Sequence, residues 1–247
     1  MAWELALSCL KALPDLKKPT SKEACAEEVI LALLAHTGIS TSSELRMLAG
    51  AFLCASPDSG TVKRAVNNLR ECKLIITDTL RLTGPAPIMV IRLSEQGLIY
   101  CSHMGYPLVT SEWEILIEEH NGEIWTQHTA AVLYFLFQVR LRGYSTRILP
   151  NIPGCKIAPD VKITSADGER FQYVEVEIRA RRKLHKWRQS YRKFGFISIC
   201  TITPAQRVAI VKECHEAGVR RGFATDIETL IQASKGEDSG PLWITKW

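Results

Sequence analysis

The sequence predicts a mixed two-domain protein, an α+β N-terminal domain over 1–105 followed by an α/β domain over 106–247. Three observations predict it. Residues 23–103 run as three short helices and then two strands. After Gly105-Tyr106-Pro107 the order becomes helix, strand, hairpin, helix, strand. The length of 247 residues allows two modest cores.

From Glu23 to about His36, the apolar residues Ala26, Val29, Ile30, Leu33 and Leu34 recur at helical spacing, and Gly38 supplies a stop. Residues 40–43 offer N-caps for a second helix through Leu45, Leu48 and Ala49. Ser56-Pro57-Asp58-Ser59-Gly60 breaks the chain before a third helix over 61–73. That helix turns Val62, Ala65, Val66 and Leu69 inward and shows Lys63, Arg64, Asn67, Asn68 and Arg70 outward. Strands follow at 74–77 and 88–93 around a Gly84-Pro85-Ala86-Pro87 break, and a further helix begins near Ser94. An additional amphipathic helix over 2–13, with Trp3, Leu7, Leu10 and Leu13 on one stripe, would bury that stripe on its own domain or on a second copy, so a homodimer is open.

Three helices and a two-stranded wing resemble the winged helix-turn-helix family over about 21–103. The resemblance implies that the third helix enters a major groove of double-stranded DNA, with Lys63, Arg64, Asn67 and Arg70 meeting phosphates and base edges.

In the second half, Ser111 caps a short helix, 126–142 form a long helix and 144–149 a strand. The most informative stretch is Pro159-Asp160-Val161-Lys162-Ile163, then Asp167-Gly168, then Tyr173-Val174-Glu175-Val176-Glu177-Ile178. Asp-Gly between two alternating runs is a tight-hairpin signal. With Asp167 and Gly168 as the loop, Ala166 pairs with Glu169, Val161 with Val174, and Asp160 stands across from Glu175. Alternation puts Asp160, Lys162, Tyr173, Glu175 and Glu177 on one face and Val161, Ile163, Val174, Val176 and Ile178 on the other. Opposed side chains lie about 4.5–5.5 Å apart at Cβ, so carboxylates gathered there repel unless a cation or a basic side chain intervenes. Lys162 and Arg179 are candidate neutralisers of a merely salt-bridged sheet face.

A basic helix follows over 182–194, then a buried strand over 197–202, a helix opened by Pro204, a strand over 222–224, a short helix over 227–233 and a closing strand over 242–244. Arg179, Arg181, Arg182, Lys183, Lys186, Arg188, Arg192 and Lys193 are dense, and no acid occurs between Glu177 and Glu213. Although the net charge is only +5, this concentration beside carboxylates points to a polyanionic partner.

The order and the pair Pro159-Asp160 and Glu175-Val176-Glu177 resemble the PD-(D/E)xK superfamily, the restriction-endonuclease-like fold. Lysine ordinarily stands where this chain has Glu177; Lys183 or Lys186 on the next helix, or Lys162 on the hairpin, could replace it. A frame shifted by two would make Glu177 the acid and Arg179 the base, but would leave Asp160 without an opposed partner. More of the chain resembles the replication-relaxation family of plasmids and mobile elements: the winged helix, Gln127-His128-Thr129-Ala130-Ala131 opening the long helix, Pro159-Asp160, the acid-x-acid strand, and a basic helix containing Tyr191.

That resemblance implies a DNA-binding, metal-dependent nuclease or nickase. Asp160, Glu175, the Val176 carbonyl and Glu177 would hold Mg²⁺ or Mn²⁺; Lys183 or Lys186 would face the phosphate, and Arg179, Arg181 and Arg182 would grip the backbone. The alternative is a non-catalytic DNA-binding replication or transcription regulator with a degenerate nuclease-like domain. His128 reads as a capping or core histidine, or as a residue near the site.

The eight cysteines have no C-x-x-C pair, which argues for reduced thiols and against zinc. With no leader and no apolar run of about 20 residues, the expected location is cytoplasmic, away from membranes.

Overall fold

A computed structural model describes residues 25–82, 87–120, 126–153, 157–234 and 239–247. The expected helix over 2–13, the break at 84–86 and part of the tail loop lie outside these residues. The chain divides into two compact units near residue 121.

In the first unit, α1 (Ala26–Thr37), α2 (Ser42–Phe52) and α3 (Gly60–Glu71) precede the antiparallel pair β1 (Ile75–Leu80) and β2 (Ile88–Leu93), then α4 (Glu95–His103) and α5 (Glu112–His120). α1 is almost wholly buried, because Ile30, Leu33 and Leu34 meet Leu45 and Leu48 of α2, Val62 and Leu69 of α3, and Ile91 of β2 in one core. Gly38 ends α1 in the left-handed conformation at φ 66°, where glycine carries no Cβ penalty. Ser59 and Ser94 cap α3 and α4 through the amides of Val62 and Gly97, at 3.3 and 3.0 Å. A Cβ on Gly97 would stand 2.0 Å from the Leu74 carbonyl oxygen, so glycine there permits α4 to touch the strand entry.

The unit runs past the expected boundary at 105. Val109 N bonds Ala35 O at 2.9 Å, Glu112 N bonds Gly38 O at 2.8 Å, and Trp113 N bonds Ser40 Oγ at 3.0 Å. The segment after Pro107 therefore returns to α1, a long-range pairing that its local composition does not announce.

The second unit contains α6 (Thr126–Arg140), β3 (Ser145–Ile148), β4 (Val161–Thr164), β5 (Phe171–Glu177), α7 (Leu184–Phe194), β6 (Ile197–Thr201), α8 (Pro204–Glu216), β7 (Gly222–Asp226), α9 (Ile227–Ala233) and β8 (Thr245–Lys246). Its mixed six-stranded sheet follows chain order, antiparallel from β3 to β5, parallel from β5 to β7, and antiparallel again at β8. Trp187 and Leu184 of α7 pack with Ile197 and Ile199 of β6 and with Ile210 and Cys214 of α8.

Two expectations change here. The hairpin keeps its register, Val161 with Val174 and Lys162 with Tyr173, but its turn is wider. Ser165 and Arg170 close it (Ser165 N to Arg170 O, 2.8 Å), and Gly168 N returns to Ser165 O at 2.9 Å. Ala166 and Asp167 are thus the turn centre, with Gly168 at φ 75° after it. The closing strand begins at Thr245 rather than 242, since Leu242 is consumed in the core and Trp243 packs on Phe223 with ring centroids 5.7 Å apart. Among the described residues no helix is long and apolar enough to cross a membrane.

Candidate active site

Asp160 precedes β4, whereas Glu175 and Glu177 end β5, so the register brings all three to the same end of the sheet. Each is buried, with 4, 4 and 5% of its surface exposed. Buried carboxylates persist only when paired, and α7 supplies the pairs. Lys186 Nζ lies 2.7 Å from Glu175 Oε2 and 3.0 Å from Glu177 Oε1. Lys183 Nζ reaches both Glu177 oxygens, at 2.8 and 2.7 Å. Lys183 is the N-cap of α7 and Lys186 lies three positions on in its first turn, so both reach the strand end from the start of the helix.

Asp160 is held differently. β4 starts at Val161 while β5 continues to Glu177, so the Val176 peptide faces a strand edge where pairing has ended. Asp160 Oδ2 accepts the Val176 N–H at 2.7 Å. His128, in the first turn of α6, lies with Nε2 3.1 Å from Val176 O and 3.3 Å from Asp160 Oδ1. Both neighbours are acceptors, so Nε2 carries a proton.

These contacts set the electrostatics. Burial works to raise the Asp160 pKa, but the His128 hydrogen bond and charge, the Val176 amide and Lys186 outweigh it and hold the group low. For His128, burial pulls down while Asp160 pulls up, and the imidazole ends above its ordinary value. Glu175 is pushed up to about 7, first by burial and then by the charges of Asp160 and Glu177, against the pull of Lys186.

No family model matches the chain, and comparison with curated proteins and with solved structures likewise finds no match. The chemistry of the site therefore rests on its own geometry.

Glu175 also tests whether a metal suits the site. A carboxyl driven towards neutrality by burial, and further by two neighbouring acids, is a place where a further cation would let the acids ionise together. Among the described residues no three carboxylate, imidazole or thiol groups stand as a ready-made cage. A small hard cation such as Mg²⁺ does not need one, since it keeps several waters and takes one or two carboxylates. Asp160 and Glu175 supply that number of carboxylates, each with a protein cation beside it, His128 at Asp160 and Lys186 at Glu175. Glu177 is committed to the two lysines, and the Val176 carbonyl to His128.

Other expected residues fall elsewhere. Lys162 Nζ stands over the Phe171 ring, 4.5 Å from its centroid, instead of at the acids. Arg179, Arg181 and Arg182 are exposed in the approach to α7. Lys63, Arg64, Asn67 and Arg70 lie exposed along one side of α3 in the first unit, while Asn68 is taken by Glu27 of α1 at 2.8 Å.

Two participants are not readable from the motif. His128 joins the site from the first turn of a helix 32 residues before Asp160, the second of the two placements that the sequence left open for it. Glu213 of α8 accepts Arg182 N at 2.9 Å and Trp187 Nε1 at 3.3 Å, which anchors the start of α7 and hence both lysines.

Proposed function

We propose that the chain is a DNA-binding, metal-dependent nuclease or nickase acting on plasmid or mobile-element DNA, built as a winged helix-turn-helix followed by a restriction-endonuclease-like domain. The supporting observation is Lys186. The ammonium that the strand motif lacks at Glu177 is delivered from α7 to within 2.7 Å of Glu175.

In this reading Asp160 and Glu175 hold Mg²⁺ or Mn²⁺, which when bound supplies Lewis-acid polarisation of the scissile phosphate. The protein's own groups do the rest. The Val176 N–H and His128 fix the orientation of Asp160, so its carboxylate is preorganised before substrate arrives. Glu177 holds Lys183 and Lys186 beside Glu175, and Lys186 presents positive charge where charge develops on the phosphate. Arg179 and Arg181, exposed, together with Arg182, exposed with Glu216 3.4 Å away, grip the backbone. Lys63, Arg64, Asn67 and Arg70 on α3 select where the DNA is held.

One observation favours a second reading: the acids are already neutralised by two lysines, so the cluster is stable as a salt-bridged scaffold in a non-catalytic regulator. The test is incubation of supercoiled plasmid with the purified protein in Mg²⁺ or Mn²⁺, beside Asp160→Ala and Glu175→Ala. Nicked or linear product from the wild type alone supports hydrolysis at this site. Retardation of DNA without any cutting under either metal overturns it in favour of the regulator.

A further inference from the structure

At the opposite end of the same sheet, the starts of β5 and β7 border a second concavity of about 550 Å³. Phe171 begins β5, four residues before Glu175, which places it roughly 13 Å from that carboxylate at ~3.3 Å per residue. The concavity is therefore separate from the carboxylate cluster.

Its lining combines cations with aromatic faces. Arg170, Arg221 and Lys246 are exposed, and no Asp or Glu side chain lines the space among the described residues; Asp167 pairs loosely with Arg170 at 3.9 Å. Phe171 is 50% exposed, with Lys162 over its ring and Tyr173 beside it at 5.5 Å between centroids, so part of a large apolar ring remains open to solvent. Trp247 forms a wall, and a Cβ on Gly222 would meet its ring at 2.3 Å, so the glycine lets the indole lie directly on the strand. Two buried polar atoms of the lining, the donor Trp247 Nε1 and the acceptor Gln172 Oε1, have no hydrogen-bond partner. A half-exposed aromatic ring and three exposed cations are the requirements for stacking a base and neutralising its phosphate.

We propose that this cleft binds an unpaired nucleotide, either a free one or a segment of single strand. The assignment goes beyond the nuclease reading and does not depend on the carboxylate cluster being active.

The experiment is fluorescence anisotropy of a labelled oligothymidylate of about eight residues, with EDTA present so that no strand is cut. Wild type is compared with Phe171→Ala and with Arg221→Ala/Lys246→Ala. Loss of one stacking partner should weaken binding roughly five- to hundred-fold in Phe171→Ala. The double variant should weaken binding and flatten its salt dependence. Thermal melting identifies any variant that has lost its fold, and the other then decides. Competition by thymidine monophosphate identifies a nucleotide site, and competition by oligomer alone a strand site. Wild-type affinity in both folded cleft variants, or no binding by wild type, overturns the proposal. Cleavage of plasmid by Phe171→Ala would leave the nuclease reading intact in either event.

Discussion

Asp160 and His128 divide the two backbone polar groups of Val176 between them. The carboxylate takes the Val176 N–H at 2.7 Å, and the imidazole lies 3.1 Å from the Val176 carbonyl oxygen while also meeting Asp160 at 3.3 Å. Asp160→Asn keeps an acceptor for the Val176 amide but turns an NH2 toward His128 Nε2, and should destabilise less than Asp160→Ala while cutting no DNA. Asp160→Ala leaves a buried N–H unpaired and should cost about 1–3 kcal/mol in chemical denaturation. Equal stability of the two variants would show that the hydrogen bond does not matter.

Lys186 is the shared partner of two buried acids. Lys186→Met removes the charge but keeps much of the volume, and should abolish cleavage and lower stability, because Glu175 and Glu177 are left less compensated. Lys183→Met should be milder, since Lys183 pairs with Glu177 and Lys186 still reaches that group. Plasmid nicking rates and urea midpoints measure both.

The Glu175 carboxyl, raised to about 7 from an ordinary 4.5, makes a signed statement about pH. Between those values the folded protein binds a proton that the unfolded chain has released, so metal-free stability should fall as pH rises from 4.5 to 7. Glu175→Gln should remove that part of the slope. A melting temperature that rises over this window because of Glu175 would contradict the assignment.

Lys63, Arg64 and Arg70 project from α3 without burying their charge. If each meets a phosphate, Lys63→Ala, Arg64→Ala and Arg70→Ala should each flatten the slope of log affinity against log salt by about 1. Asn67→Ala should change sequence preference more than the salt slope. Binding measured at several salt concentrations separates these outcomes.

Gly97 tests the first unit. Because its Cβ position lies 2.0 Å from the Leu74 carbonyl oxygen, Gly97→Ala should force α4 away from the strand entry and cost about 1–3 kcal/mol, despite alanine's better helix propensity. Unchanged stability would mean that the contact relaxes freely.

The sequence by itself determined the elements and the hairpin register. Periodicity and punctuation place α1, α3, α7 and β6 within a few residues, since each pattern is local and one face of each must be buried. The alternation of Val161, Ile163, Val174 and Val176 defends the register that sets Asp160 across from Glu175, because a one-residue slip would expose every one of them. It also limited the missing lysine to a few positions. Only the tertiary structure decided among them: Lys162 goes to the Phe171 ring, while Lys183 and Lys186 go to the acids, because the direction of α7 is set by Glu213 on another helix. The return of 109–113 to α1, the arrival of His128 at Asp160 and the seating of Trp247 on Gly222 are of the same kind. Each joins residues far apart in the chain, and a contact between distant segments leaves no period or spacing in the sequence by which it could be read.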